Sequence, residues 1–449
     1  MKRDIFSHKN IVILLLVLGL GIHFAWLGTP NSAVFDEVHF GKFLSAYFTH
    51  EYYFDIHPPL GKLILAAWGK LWGFQPGFSF ASIGEVYPDK LYIALRALPS
   101  LAGALLPLVI FGVALRLRMS RPAAALAGVL VALDNALLVQ SRYILLDSFL
   151  MLFGFAAVYC YLTWRDGGTK WLLAGAGILG GMAMSIKWTG ITFLTLIVIL
   201  ELFHLYKDRA GTARRRIGPL IATLGILPLL VYAGAFTLHF SLLTKSGAGD
   251  AFMSTRFQSG LEGNRNAGDT TLRPLAMTEK IIELNREMYR SNSRLTATHP
   301  YSSAWYSWPL MERPIFYWVK DTARIYLLGN PAVWWLSTAA VMILLINLIG
   351  TGLRNLQATP LILLGAWLMN MLPFMGINRV MFLYHYFTAL IWAILMLAYA
   401  ADQSGKVREA FFTIAALAFA LFLFFAPLSY GLPLSTAAYN ARAWFASWR

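Results

Sequence analysis

Apolar positions in this chain come in long unbroken runs, and polar positions gather in the stretches between them. Runs long enough to cross a hydrocarbon layer as helices lie near residues 11–28, 91–115, 122–140, 143–163, 171–186, 188–206, 217–240, 331–350, 358–376, 379–400 and 410–428. They predict about eleven transmembrane helices. The period-two alternation of a transmembrane barrel is missing, and only helices satisfy their own backbone groups segment by segment in lipid. The expected fold class is an all-α polytopic membrane protein built as one membrane domain over 1–449.

Two polar stretches are long enough to carry structure of their own, residues 29–90 and 241–330. In the first, Phe40, Phe43, Leu44, Tyr47 and Phe48 recur at helical spacing with Lys42, Ser45 and Thr49 between them. That pattern predicts a helix lying in the membrane interface. A second helix is expected from "PPLGKLILAAWGKLWGF", since proline fits a first helical turn but does not continue an earlier helix. In the second stretch, Ile281, Ile282, Leu284, Met288 and Tyr289 predict another amphipathic helix, and "HPYSSAWYSWPLMERPIFYW" has the aromatic density of a segment resting at headgroup depth. No internal repeat, low-complexity tract or soluble domain is visible.

Composition agrees with this pattern: 58% of the 449 residues are hydrophobic and 13% charged, outside the balance of a soluble domain. A net charge of +15 raises nucleic acid as a partner. The basic residues, however, are spread over "RLRMSR", "WRDGGTK", "YKDRAGTARRRIG", "TGLRNLQ" and "DQSGKVRE", every second connection between the apolar runs. Lys and Arg in alternate short loops mark the cytoplasmic side, so charge reports topology and no nucleic acid is expected. The other connections, including both long stretches, then face outward. The N-terminal run is read as a retained first helix, having no small-residue cleavage site after it. The single cysteine, Cys160, excludes an intramolecular disulfide and reads as packing.

Against this background the outward charges stand out, because ionisable groups beside a hydrocarbon slab are costly. Asp36 and Glu37 read either as helix caps or as a carboxylate that takes a proton from an alcohol or water. Asp55, His57 and Lys62 flank the rigid Pro58-Pro59 pair and form a second group. A divalent ion held by Asp36, Glu37, Asp55 and His57 is conceivable, yet no spacing is diagnostic, and no metal is expected to be required. Arg96, Arg142, Lys187, Arg379 and His385 all fall at or just below the outer boundary. Individually they read as snorkelling side chains, and Arg142 could pair with Asp147. Together they suggest a phosphate site reached from the lipid. A transporter is the rival class, but paired repeats and interrupted midplane helices are not seen.

The stretch "FDEVHFGKFLSAYFTHEYYFDIHPPLGKL" resembles the first external loop of the protein O-mannosyltransferases, lipid-phosphate-mannose-dependent glycosyltransferases of the GT-C class. The resemblance continues in order through "RYILLDSFLM", "SIKWTG", "HPYSSAWYSWPLMERPIFYW" and "RVMFLYHYFTAL", over nearly the whole chain. It implies a GT-C fold with eleven spans and an outward active site. The implied reaction moves mannose from a polyprenyl- or dolichyl-phosphate-mannose to Ser or Thr of a secreted or periplasmic protein, with inversion and no required cofactor. It also implies Asp36 as base, Glu37 as a residue that shapes the site or supports the peptide, and an important role for Arg96; the residue pattern itself adds Arg96, Lys187, Arg142, His385 and Arg379 as donor-phosphate candidates and Asp55, His57 and Asp147 as acceptor or site-shaping candidates. The long second loop lacks room for the β-trefoil domain of eukaryotic members beside its motifs, so a prokaryotic-type enzyme of the cytoplasmic membrane is expected. The aminoarabinose transferases, with a lipid or envelope-glycan acceptor, are the nearest alternative. Eukaryotic relatives dimerise; these residues leave oligomer formation open.

Overall fold

The computed structural model describes residues 5–207, 216–294, 298–351, 357–377 and 379–449. Every apolar run identified above is largely helical. Among the described residues eight helices are long and apolar enough to cross a membrane, nine if one bent pair counts as a single span. The two remaining expected runs are shorter apolar helices, α1 (His8–Phe24, 17 residues) and α8 (Lys170–Met184, 15 residues). The remaining helices of the membrane part are α4 (Leu91–Arg116), α5 (Arg121–Ala132), α6 (Asn135–Ser141), α7 (Asp147–Arg165), α9 (Ile191–Lys207), α10 (Arg216–Leu242), α12 (Pro331–Thr351), α13 (Ala358–Met369), α14 (Phe387–Gln403) and α15 (Val407–Tyr430).

The bent pair is α5 and α6, which turn by 59° between Ala132 and Asn135. Asp134 makes the break. Its carboxylate accepts from Leu137 N (2.9 Å) as the N-cap of α6, and from Asn330 N (3.0 Å) and Trp334 Nε1 (2.7 Å) at the start of α12. A capping side chain starts a new helix direction where the old one stops. The bend delivers Gln140, Ser141 and Arg142 to the end of the bundle that carries the first long loop.

Above the bundle, residues 29–90 fold into α2 (Glu37–Thr49) and α3 (Leu60–Leu71). α2 buries Phe40, Leu44 and Tyr47 against protein. In the second loop, α11 (Met277–Arg294) buries Leu284 and Met288, whereas Ile282 and Tyr289 of its expected apolar face are exposed. A two-stranded antiparallel hairpin follows, β1 (Ile315–Lys320) and β2 (Ala323–Leu327). The sequence reading treated its first strand as an aromatic segment at headgroup depth. Trp308 and Tyr317 of that segment are buried within the protein, Tyr306 and Leu310 are exposed, and Phe316 is stacked on Tyr326 of β2 (4.1 Å).

Candidate active site

A pocket of about 850 Å³ lies between the first loop, α11 and the outer ends of the membrane helices; Asp36, His57, Gln140, Lys187, Arg379 and His385 are on its wall. Asp36 occupies the N-cap position of α2, but its side chain makes no capping bond. No described residue donates a hydrogen bond to it or forms an ion pair with it. The protein packed around it raises its carboxyl to about 7; Lys187 pulls the other way, and Asp147 and Asp55 push further up. Such a group is ionised near neutral pH yet basic enough to take a proton.

Glu37, the next residue, is fully buried and points away from the pocket. Its carboxylate accepts from Arg96 Nε (2.8 Å) and Nη2 (2.7 Å), Val34 N (2.9 Å), Ile144 N (3.0 Å) and the Tyr87 hydroxyl (3.1 Å). This one side chain fastens the first loop to α4 and to the segment leading into α7. The capping reading therefore fails for both acids: one is free, and the other binds its partners elsewhere.

Two expected phosphate ligands are corrected by the same geometry. Arg96 is fully buried, bidentate on Glu37 and donating also to Pro30 O (2.7 Å) and Ser32 O (2.9 Å). The Tyr92 and Tyr143 rings lie 4.8 and 4.9 Å from its guanidinium. Arg142 donates to the carbonyls ending α1, including His23 O (2.9 Å) and Trp26 O (2.8 Å), and does not pair with Asp147. A cation at a helix C-terminus satisfies orphan carbonyls and meets the negative end of the dipole. Neither arginine reaches the pocket.

The basic side chains that do reach it are the cations Lys187 and Arg379 and the imidazole of His385. Lys187 sits in the turn between α8 and α9, where a Cβ on Gly190 would come within 2.4 Å of the Ala183 carbonyl; only glycine lets this turn close. Leu60 N donates to Ser185 O (3.0 Å), tying α3 to the same turn. The Lys187 ammonium donates to Asp147 (2.7 Å), which also accepts from Gln140 Nε2 (2.6 Å). Arg379 has neither a hydrogen bond nor an ion pair with a described residue. The His385 Nδ1 lies 2.9 Å from Phe382 O, and its ring is stacked on Trp308.

Asp55 lines the pocket but is paired with Lys62, which also donates to His57 O (2.8 Å). Burial alone would raise the Asp55 carboxyl, but Lys62, then His57, holds it below the ordinary carboxylate range. Burial lowers the His57 imidazole to about 3, with Lys187, Lys62 and Arg379 reinforcing the shift against Asp55. The ring is a neutral hydrogen-bonding group. The metal set considered above does not converge, because Glu37 is turned to Arg96 and Asp55 to Lys62. Among the described residues no three His, Cys, Asp or Glu side chains form a metal-binding group.

The pocket wall also holds polar residues that no sequence motif marked, Gln140 among them, and Tyr317 packs behind it with its hydroxyl donating to Gln140 Oε1. The signal for the strand carrying Tyr317 was present: "IFYWV" and "ARIYL" are rich in aromatic and β-branched residues and flank "KDT", the pattern of a hairpin. Nothing local marked Gln140.

A free carboxylate beside a basic pocket is set here on loops over a helix bundle, and the fold is of the GT-C class. It superimposes on the Saccharomyces cerevisiae protein O-mannosyltransferase Pmt1-Pmt2 complex, solved bound to the sugar donor, with a TM-score of 0.92 at 21% identity, covering 100% of this chain and 93% of that one. Against ArnT from Cupriavidus metallidurans bound to undecaprenyl phosphate the TM-score is 0.55 at 15% identity, covering 95% and 77%. The family model for dolichyl-phosphate-mannose-protein mannosyltransferase matches residues 13–244, and that for the C-terminal four-TMM region of protein-O-mannosyltransferase matches 277–448. This chain belongs to the protein O-mannosyltransferase family. Protein O-mannosyltransferase 1 of Drosophila melanogaster is 37% identical over 290 residues, 62% of this chain and 32% of the relative. Mannosyltransferase 4 of Candida albicans is 39% identical over 274 residues, 57% and 36%. The matched region thus spans about a third of these relatives' length.

Proposed function

We propose that this protein transfers mannose from a polyprenyl- or dolichyl-phosphate-mannose to Ser or Thr hydroxyls of proteins, at the extracytoplasmic face of the cytoplasmic membrane. The observation that carries this reading is the sharing of one pocket by a carboxylate and a guanidinium, Asp36 and Arg379, neither of which is paired with a described residue. In a single displacement the acceptor oxygen attacks the anomeric carbon and the bond from that carbon to the phosphate oxygen breaks. Its electron pair leaves with the polyprenyl phosphate, the acceptor proton goes to Asp36, and the anomeric configuration inverts. Arg379, Lys187 and His385 stabilise the charge that grows on the phosphate. Arg379 and Lys187 supply the positive charge that a divalent ion would, and activity is expected to survive a chelator; loss on chelation, restored by one divalent ion, would overturn that point.

The deciding experiment is incubation of the purified protein with polyprenyl-phosphate mannose and a Thr-rich peptide. A mannosylated peptide supports the reading. Modification of lipid or glycan alone would replace the acceptor, and sugar uptake into proteoliposomes without covalent product would replace the class. Within this assay Arg379→Ala is expected to raise the donor KM by roughly 10- to 100-fold, the worth of a hydrogen bond to a charged group. The peptide KM and the unfolding midpoint should stay near those of the wild type. An unchanged donor KM would remove Arg379 from the phosphate site.

A further inference from the structure

We infer that Tyr317 is a positioning residue that sets the Asp36 carboxylate and the Lys187 ammonium relative to each other; the inference rests on the mannosyl-transfer reading above. Tyr317 is fully buried and lies where the register of the hairpin slips, between Phe316 and Trp318. A strand irregularity frees a residue from the ladder and re-aims it. Its carbonyl accepts from Phe35 N (3.0 Å), and its ring is stacked on the Phe35 ring at 3.9 Å and 6°. Phe35 is a non-glycine residue in the left-handed region, with φ of 47°, a conformation that persists only where its surroundings enforce it. The next residue is Asp36. Main chain and ring of Tyr317 thus hold the backbone from which the base projects.

The hydroxyl of the same residue reaches the other wall. It donates to Gln140 Oε1, leaving the Gln140 amide to donate to Asp147 (2.6 Å), which accepts from Lys187 (2.7 Å). The order of donors and acceptors fixes which way the Gln140 amide faces. With an alternative partner absent, a buried amide held at both ends does not flip. One tyrosine from the second long loop therefore spans the acceptor-side base and the donor-side cation, two groups that must keep their separation while an oxygen and a phosphate stand between them.

The test compares Tyr317→Phe, Gln140→Ala and the double variant in the purified full-length protein, using polyprenyl-phosphate mannose and the Thr-rich peptide. Tyr317→Phe keeps the carbonyl bond and the stacking and removes only the hydroxyl. It is expected to lower kcat by roughly 10- to 100-fold, the cost of a small misplacement of reacting groups. Both KM values should stay within about twofold, and the variant should stay folded at the assay temperature, with kcat read well below an unfolding midpoint lowered modestly by the unpaired Gln140 oxygen. Because the two residues act through one chain, the double variant should be no slower than the slower single variant. Full kcat in Tyr317→Phe, effects that multiply in the double variant, or an activity loss that merely follows a lower unfolding midpoint would each overturn the inference. A wild type that makes no mannosyl peptide would instead defeat the mannosyl-transfer reading.

Discussion

Asp36→Asn is expected to lower kcat for mannosyl transfer by roughly 100- to 10,000-fold, the range that a positioned general base contributes. Donor binding should persist, because asparagine keeps the shape of the side chain and the cations of the pocket remain. In the wild type, kcat/KM should rise with pH through an acid limb near 7, since the base acts only when ionised and the surrounding protein raises its carboxyl to about 7. Stability carries the opposite sign. With a folded value raised from the ordinary 3.8 to about 7, the unfolded chain ionises first. The cost to the folded state then accumulates as pH rises over that window and is complete above it. Asparagine removes that cost, so at pH 8 the variant should unfold at the same midpoint as the wild type or higher. Retained activity in Asp36→Asn, or an acid limb near 4, would take the base role from this residue.

Arg96 should behave in the reverse way. Arg96→Met leaves the Glu37 carboxylate buried without its cation, and breaking a buried pair on one side costs about 3–5 kcal/mol. The expected result is a large fall in the unfolding midpoint of the detergent-purified protein, with activity lost because the fold of the first loop is lost. Adding Glu37→Gln removes the stranded charge and should recover part of the stability. If Arg96 instead held donor phosphate, Arg96→Met would raise the donor KM and leave the midpoint in place. The contrast with Arg379→Ala separates an arginine that holds the loop from one that meets the substrate.

The difference between those two arginines was not legible along the chain. Both lie at the outer ends of apolar runs, and both have the donor geometry for phosphate. Arg96 takes the carboxylate of Glu37 because packing brings together residues 59 positions apart; Arg379 is left facing the pocket because no acid comes to it. The residue pattern suggested Arg96 as a ligand, and burial decided otherwise. Aromatic density likewise did not say which rings of the segment after His299 pack inward: Trp308 and Tyr317 are core, and Tyr306 is exposed. Aromatic composition alone reads the same for a membrane belt and a packed floor.

By itself the sequence determined the helical membrane fold, the two structured outer loops, the family motif and Asp36 as the residue to watch. These follow from local quantities: the length of apolar runs, the side-chain period, and a string of residues read in order. Tertiary structure alone decided which charges cancel and which remain. It buried Glu37 with Arg96, placed Arg142 on the end of α1, and left Asp36 and Arg379 in one pocket without partners among the described residues. It also placed Tyr317, 177 residues beyond Gln140, where a single hydroxyl links the two walls. The physical reason is that a charge in a low-dielectric setting takes whichever partner the packing presents, and spacing along the chain does not encode that choice.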